Sequence, residues 1–140
     1  MDSPIRIRPG ALADSAAVLE LWGRSEAAPS PTDTPAAVSR LLREPAAVLL
    51  VALDGDRVVG TVIAGWDGWR GNLYRLAVRP DYRRRGIARA LVAKAEAVLR
   101  RWGCIRISAL VEHDHPWAVG FWEAAGYGRD ARMVRYIKTF

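Results

Sequence analysis

Apolar and polar residues alternate along the chain in patterns that predict both helices and strands. The clearest helical pattern begins at Ile87, after which apolar residues recur at steps of three and four. Gly103 follows this pattern and is expected to end the helix. The apolar stripe comprises Ile87, Leu91, Ala95, Val98 and Trp102.

Two shorter helices are predicted nearer the N-terminus. Asp14 is a suitable N-cap for the first, and Thr34 followed by Pro35 predicts the start of the second, which should end before Pro45. The apolar face of the first helix comprises Ala17, Val18, Leu21 and Trp22, and that of the second comprises Val38, Leu41 and Leu42.

Short apolar runs bounded by turn residues predict six strands, and Pro116 is expected to start a last helix over 117–125. The order is strand, two helices, three strands, helix, strand, helix and strand, which indicates an α+β fold with a mixed sheet. The predicted strands are Ile5–Arg8, Val48–Leu53, Val58–Ala64, Asn72–Val78, Ile105–Val111 and Met133–Ile137.

The composition favours one domain spanning residues 1–140. Its 51% hydrophobic residues, with six tryptophans, can fill a core. The charged N-terminus lacks the apolar stretch of a signal peptide, and the longest apolar run, Ala46–Leu53, is far shorter than the roughly 20 residues of a membrane span. A single cysteine, Cys104, allows no internal disulfide, which fits a cytoplasmic setting.

The net charge of +6 permits nucleic-acid binding but does not favour it. The arginines are spread along the chain, and the one dense run, Arg83–Arg85, lies where a small phosphate ligand explains it. That run follows an apolar strand and precedes Gly86 and the long helix. The first amide N–H groups of a helix lack intrahelical partners and carry positive partial charge, so this turn predicts an anion site.

At these residues the sequence resembles the GNAT superfamily of N-acetyltransferases. The signature is Arg83-x-x-Gly86-x-Ala88, preceded by the strand Leu76-Ala77-Val78. A later segment, Phe121-Trp122-Glu123-Ala124-Ala125-Gly126-Tyr127, looks like the closing aromatic helix of the family. The resemblance covers most of Gly60 to Tyr127. It implies a mixed, mostly antiparallel central sheet flanked by about four helices, with the first two helices and their loop walling the acceptor site.

The resemblance implies acetyl-CoA as cosubstrate, with its pantetheine arm between two splayed strands, Asn72–Val78 and Ile105–Val111. It places the pyrophosphate on the amides of 84–89 and pairs pantetheine with the backbone of 76–78, where an amide such as that of Ala77 polarises the thioester. The implied cofactor-binding residues are Leu76, Ala77, Val78, Arg83, Arg84, Arg85, Gly86, Ile87, Ala88, Arg89, His115 and Trp122.

The sequence departs from the family pattern twice. Trp122 stands where many relatives place a tyrosine as general acid, and His115 stands where they often carry an asparagine that contacts the cofactor arm. An indole N–H cannot usefully give up its proton, so we interpret Trp122 as a wall of the cofactor site. A thiol of pKa about 8.5 can leave as thiolate without strict protonation.

The general base is not fixed by the sequence. An alkylamine is mostly protonated at neutral pH, so a group or a water chain must take its proton. Glu112 is the nearest carboxylate, on the face of Leu110 if that strand extends, and Tyr74 is the second candidate. For each residue the alternative is a structural role, as a surface carboxylate and a core aromatic.

No metal site is predicted, because Cys104, His113, Asp114 and His115 match no common zinc spacing. Cys104 is expected in the core, and an acetyl-cysteine route has no visible base.

The predicted function is direct acetyl transfer from acetyl-CoA to a primary amine. A catalytically weak acyl-CoA-binding module and a basic nucleic-acid-binding protein are the alternatives. The acceptor stays open among protein N-termini, lysines, polyamines and antibiotic amines, as does a homodimer through an apolar face. Acids that could meet a cationic amine are Asp33, Glu44, Asp67 and Asp114.

Overall fold

A five-stranded sheet in the order β1-β2-β3-β4-β5 forms the centre of the fold. A computed structural model of the chain describes residues 4–25, 28–115 and 117–140, which divide into the units Met1–Leu110 and Val111–Phe140. The strands are β1 Ile5–Pro9, β2 Ala47–Asp54, β3 Arg57–Trp66, β4 Gly71–Val78 and β5 Ile107–Ala109. The helices are α1 Ser15–Arg24, α2 Pro35–Leu42, α3 Ile87–Arg101 and α4 Ala118–Ala124.

The sheet is mixed and mostly antiparallel, as predicted. Strands β1 to β4 pair antiparallel in sequence order, and β5 pairs parallel to β4. The α+β fold is confirmed, and every predicted element before residue 126 is present. No helix among the described residues is long and apolar enough to cross a membrane.

Helices α1 and α2 cover one face of the sheet. Val18, Leu21 and Trp22 of α1 and Val38 of α2 are buried with β2 side chains in one hydrophobic cluster. The Thr34 hydroxyl accepts the Ala37 N–H at 3.2 Å, so the predicted cap of α2 is confirmed.

One detail predicted for α1 is wrong, and another is confirmed only in position. Ala17 is exposed. Asp14 occupies the N-cap position but does not cap α1 with its side chain. That carboxylate instead accepts from the Arg8 guanidinium at 2.7 Å and from the Ala11 N–H at 2.7 Å, because a bidentate cation outcompetes a helix amide for it.

Helix α3 covers the opposite face of the sheet. A Cβ at Gly60 would lie 3.0 Å from Leu91, whereas the next residue, Thr61, contacts α1, and successive strand residues point to opposite faces. The buried side of α3 comprises Ile87, Ala88, Leu91, Val92, Ala95 and Leu99. Val98 is only partly buried and Trp102 is exposed, so these two members of the predicted stripe are wrong. Leu99 is the buried residue in this part of the helix.

Gly103 ends α3 as predicted. Its φ is +103°, its N–H bonds the Arg100 carbonyl at 3.1 Å, and the Cys104 N–H bonds the Leu99 carbonyl at 3.0 Å. This pair of bonds is a Schellman motif, which glycine favours because it lacks a Cβ. Cys104 is buried as predicted, and its thiol donates to the Arg106 carbonyl at 3.1 Å.

Two strand predictions near the C-terminus need correction. Strand β5 spans only Ile107–Ala109, and Ile105 is fully exposed. The segment 133–137 is not a strand, and its large apolar side chains are exposed. A strand needs a hydrogen-bonded partner, which an apolar run in the sequence does not reveal.

Candidate functional site

The sheet opens along β4. Parallel pairing with β5 joins Gly71, Asn72 and Leu73 to Ile107, Ser108 and Ala109, and no described residue pairs with β4 on that side from Tyr74 to Val78. An unpaired strand edge presents backbone N–H and C=O groups, which an extended ligand can bind. The last five residues of β4 therefore form an open edge of the sheet.

A β-bulge distorts β4 at the start of this edge. Ile63 pairs with Tyr74 and Thr61 with Ala77, so β4 has one residue more than β3 between these pairs. Arg75 lies in the bulge with φ of +50°, and its carbonyl accepts the Thr61 hydroxyl at 2.9 Å. The sequence gives no signal for a bulge here, because neither glycine nor asparagine occupies the position.

The register also fixes where the backbone amides of β4 point. The Arg79 N–H donates to the Val59 carbonyl at 2.9 Å, and Val78 pairs with Gly60. Because N–H directions alternate along an antiparallel strand, the Val78 N–H points to the open edge and the Ala77 N–H points to β3. The Ala77 side chain packs in the cluster under α1 and α2.

The basic turn, residues 83–86, lies between this edge and α3. A 3₁₀ turn spans Pro80–Tyr82, and Arg84 and Gly86 then have φ of +65° and +76°. Gly86 is the N-cap of α3 with no side-chain cap, and the first intrahelical bond runs from Ala90 N–H to the Gly86 carbonyl at 3.0 Å. Arg84, Arg85 and Arg89 are exposed beside these amides, so the turn has the geometry and charge of an anion site.

Tyr82 fastens the basic turn to the β2–β3 hairpin. Its hydroxyl donates to the Asp54 carboxylate at 2.5 Å, and the Arg85 guanidinium lies 4.8 Å from its ring centre. The hydrogen bond to Asp54, burial and the negative charge of Asp54 together raise the pKa of Tyr82, so the phenol stays protonated. Sequence reasoning missed this contact, since residues 28 apart give no local signal.

Of the two candidate bases, Tyr74 is the one whose side chain lies at the open edge. It follows the last residue paired to β5, and its side chain is 39% exposed. Gly71 packs against Leu99 of α3, so by alternation Tyr74 points to the face that carries α1 and α2.

Glu112, His115 and Trp122 belong to the second unit. Glu112 was expected on the face of Leu110 if the strand extended, and that condition is not met because β5 ends at Ala109. His115 Nδ1 accepts the N–H groups of Trp117 and Ala118 at 3.3 and 3.2 Å, so it caps the first turn of α4. Pro116, the expected helix start, lies outside the described residues.

Trp122 is buried in an aromatic cluster of the second unit. Its ring lies edge-to-face with Phe121 at 5.3 Å and with Tyr127 at 4.9 Å, and Trp117 stacks on Phe121. These contacts account for the aromatic residues of the closing motif by packing.

Each of the four acids that could meet a cationic amine has a partner within the chain. Asp33 forms an ion pair with Arg75, Glu44 accepts the Ala46 N–H at 3.1 Å, and Asp114 lies 3.6 Å from His113. Asp67 accepts the N–H groups of Trp69 and Arg70, and these bonds lower its pKa. Among the described residues, no group of three metal-ligating side chains is gathered.

Comparison with known proteins agrees with this architecture. The model of the acetyltransferase (GNAT) family matches residues 15–127. The acetyltransferase ECA0875 of Pectobacterium atrosepticum is 37% identical over 114 residues, which is 81% of each chain.

Two solved aminoglycoside acetyltransferases share the fold. AAC(6')-Iy, in complex with a CoA-containing bisubstrate analogue, superposes with a TM-score of 0.83 at 18% identity, over 99% of this chain and 100% of its own. AAC(6')-Ig of Acinetobacter haemolyticus gives 0.80 at 22% identity, over 96% and 99%. The fold and the matched family model define an acetyltransferase. The chain belongs to the GNAT family, as its sequence predicted.

Proposed function

We propose that the protein transfers the acetyl group of acetyl-CoA directly to a primary amine. The observation that carries this proposal is the continuity of the open β4 edge at Val78 with the uncapped start of α3 at Gly86. A ligand with an extended amide arm and a pyrophosphate matches both parts. The CoA-containing analogue bound to AAC(6')-Iy supports the same cosubstrate.

The pyrophosphate lies on the backbone amides of 84–89 in this proposal, and the exposed arginines add charge-assisted hydrogen bonds. Gly86 is required there because its φ of +76° is costly for other residues. The side chains of Ile87 and Ala88 are buried and contribute to packing, while their amides serve the ligand.

The oxyanion donor is better assigned to Val78 than to Ala77, the residue the sequence suggested. The Val78 N–H faces the open edge, whereas the Ala77 N–H is directed to β3. A backbone donor preset for the developing oxyanion is worth about 3 kcal/mol in known enzymes.

Transfer then balances without a covalent enzyme intermediate. The amine nitrogen attacks the thioester carbon, the tetrahedral oxyanion collapses, the C–S bond breaks and CoA leaves as thiolate. The proton that the substrate ammonium loses before attack and the proton that the new amide nitrogen loses both pass to solvent through water held by Tyr74, which lies on the edge beside the bulge. Glu112 loses its support as a base with the shorter β5.

The acceptor is a primary amine of a small molecule or of a protein. The aminoglycoside acetyltransferases at 18% and 22% identity support an amine acceptor without naming it for this chain. A panel of an aminoglycoside, spermidine and a lysine-containing peptide, followed by release of the CoA thiol, identifies the class.

Calorimetric titration with acetyl-CoA tests the cofactor site. Gly86→Glu places a carboxylate where the pyrophosphate is proposed to lie, so we expect affinity to fall by more than about a hundredfold. Gly103→Glu is the matched control, since it adds the same charge at a glycine of positive φ at the other end of α3. Equal losses in both variants would contradict the proposed site.

The second candidate is an acyl-CoA-binding module without turnover. The observation that favours it is Trp122, which is buried among aromatic rings at the position where the family resemblance implies a tyrosine acid. Saturable acetyl-CoA binding with no thiol release on any amine of the panel would establish this candidate instead.

A further inference from the structure

A connected set of polar contacts ties segment 28–33, which precedes α2, to the β4 bulge. The Arg75 guanidinium donates to both carboxylate oxygens of Asp33. Nε bonds Oδ1 at 3.1 Å, and Nη2 bonds Oδ2. Arg75 Nη1 also donates to the Ala28 carbonyl at 3.3 Å. Asp33 accepts the Ser30 N–H at 3.0 Å. This segment is thus held to β4 through one bidentate ion pair.

The same contacts fix Arg75 from the side of the sheet. Its guanidinium lies 5.3 Å from the ring centre of Trp22, and the Trp22 indole donates to the Thr61 hydroxyl at 2.9 Å. That hydroxyl donates to the Arg75 carbonyl. Thr61 is fully buried, so its two hydrogen bonds are costly to lose.

Burial makes this ion pair different from an ordinary surface pair. The side chains of Arg75 and Asp33 are only 14% and 19% exposed. Arginine at φ of +50° is also strained, and such a conformation persists only where surrounding contacts determine it. Strained residues of this kind cluster at functional sites, and Arg75 lies beside the open edge of β4.

The position of the pair suggests a role. Arg75 lies one residue after Tyr74 and three before Val78, within the part of β4 that lacks a β5 partner. The loop segment 28–33 is in contact with Arg75 on the face of α1 and α2. Tyr74 points to the same face, so an amine that approaches the open edge beside Tyr74 from this face meets segment 28–33.

We propose that Arg75 and Asp33 are positioning residues, which hold segment 28–33 as a wall of the acceptor pocket and so determine which amines reach the thioester. This inference rests on the proposed acetyl transfer. Because Arg75 neutralises Asp33, the carboxylate orders the pocket and does not itself recognise a cationic amine.

The test is Asp33→Asn, which keeps the size of the side chain and removes its charge. We expect the KM for the best amine of the panel to rise about tenfold, with the calorimetric Kd for acetyl-CoA changed less than about twofold. Hydrogen exchange in segment 28–33 should become faster. Arg75→Gly, in which glycine suits a positive φ, should likewise raise the amine KM and leave the Kd for acetyl-CoA nearly unchanged.

Asp14→Asn is the matched control. Asp14 also accepts two bonds from one arginine and one from the backbone N–H three residues before it, but it ties β1 to α1. We expect this variant to leave the amine KM unchanged. The double variant Asp33→Asn, Arg75→Gly should raise the amine KM little more than either substitution alone, because both substitutions remove the same ion pair.

Three outcomes would overturn the inference, and the first is distinguishable from the other two. If wild-type protein binds acetyl-CoA but acetylates no amine, the proposed transfer fails and the positioning role fails with it. If wild-type protein is active and Asp33→Asn raises the amine KM no more than Asp14→Asn does, only the positioning role is refuted. A loss of acetyl-CoA affinity equal to the change in KM would also refute it.

Discussion

Tyr82 holds the basic turn in place from its N-terminal side. Tyr82 is buried, its hydroxyl bonds Asp54 of the hairpin, and Arg85 lies over its ring. The turn itself contains two residues of positive φ, Arg84 and Gly86, which leave its conformation strained at one position. In the proposed cofactor site, the contact with Asp54 from outside the turn preorganises the amides of the turn for the pyrophosphate.

Tyr82→Phe tests this preorganisation. The ring remains, so packing is kept, but the bond to Asp54 is lost and the turn becomes looser. We expect the Kd for acetyl-CoA to rise about threefold to tenfold with a small change in kcat. Calorimetry and steady-state kinetics measure the two quantities.

Tyr74→Phe should affect kcat rather than the Kd for acetyl-CoA, the reverse of Tyr82→Phe. It removes the hydroxyl proposed to hold water at the reacting amine, so kcat should fall while the Kd for acetyl-CoA stays within about twofold of the wild-type value. If Tyr82→Phe lowered kcat and spared Kd, the anchoring role of Tyr82 would be wrong.

Individual residues were predicted well where local rules apply. Thr34, Pro35 and Gly103 act as caps because capping depends on residues within one turn. The Tyr82–Asp54 and Arg75–Asp33 contacts join residues 28 and 42 apart, so no local pattern contains them. Asp14 was misread for the same reason, since its stronger partner Arg8 lies on another element.

At the scale of elements, Arg8 and Asp14 join the first strand to the first helix. The bond from Arg8 is the main cause that lowers the pKa of Asp14, and the Ala11 N–H adds to it. A carboxyl with a lower pKa in the folded state stabilises the fold at pH values above its unfolded pKa of about 3.9. This stabilisation is lost as the pH falls through the folded pKa.

The corresponding experiment is urea unfolding of the wild type and Asp14→Asn at several pH values. At pH 7 the variant should be less stable by about 0.5–1 kcal/mol, because solvent reaches Arg8 and screens the pair. The difference should shrink as the pH falls below about 4, because the wild-type carboxyl becomes protonated. A difference independent of pH would show that packing, rather than charge, is the cause.

The predicted elements agree with the structure where hydrophobic periodicity and turn residues coincide. Strands β1 to β4 and helices α1 to α3 lie within two or three residues of their predicted ends. The exceptions are strands whose existence depends on a distant partner. Strand β5 is limited to the three residues that β4 pairs, and 133–137 has the composition of a strand without forming one.

At the scale of the whole molecule, the net charge of +6 favours an anionic ligand at long range. The backbone amides of the basic turn act only at contact, whereas the arginines act over the Debye length, which is about 10 Å at 0.1 M salt and about 3 Å at 1 M. Salt therefore separates the two contributions to acetyl-CoA binding.

We expect the Kd for acetyl-CoA to rise about tenfold between 0.1 and 1 M salt, and the remaining affinity to come from the amides and the β4 edge. Acetyl-pantetheine, which carries no phosphate, should bind more weakly and show almost no salt dependence. Equal salt responses of the two ligands would contradict a charge-assisted pyrophosphate site on the turn. Salt-sensitive binding of duplex DNA without acetyl-CoA, in place of cofactor binding, would instead favour the nucleic-acid alternative, because counterion release dominates such binding.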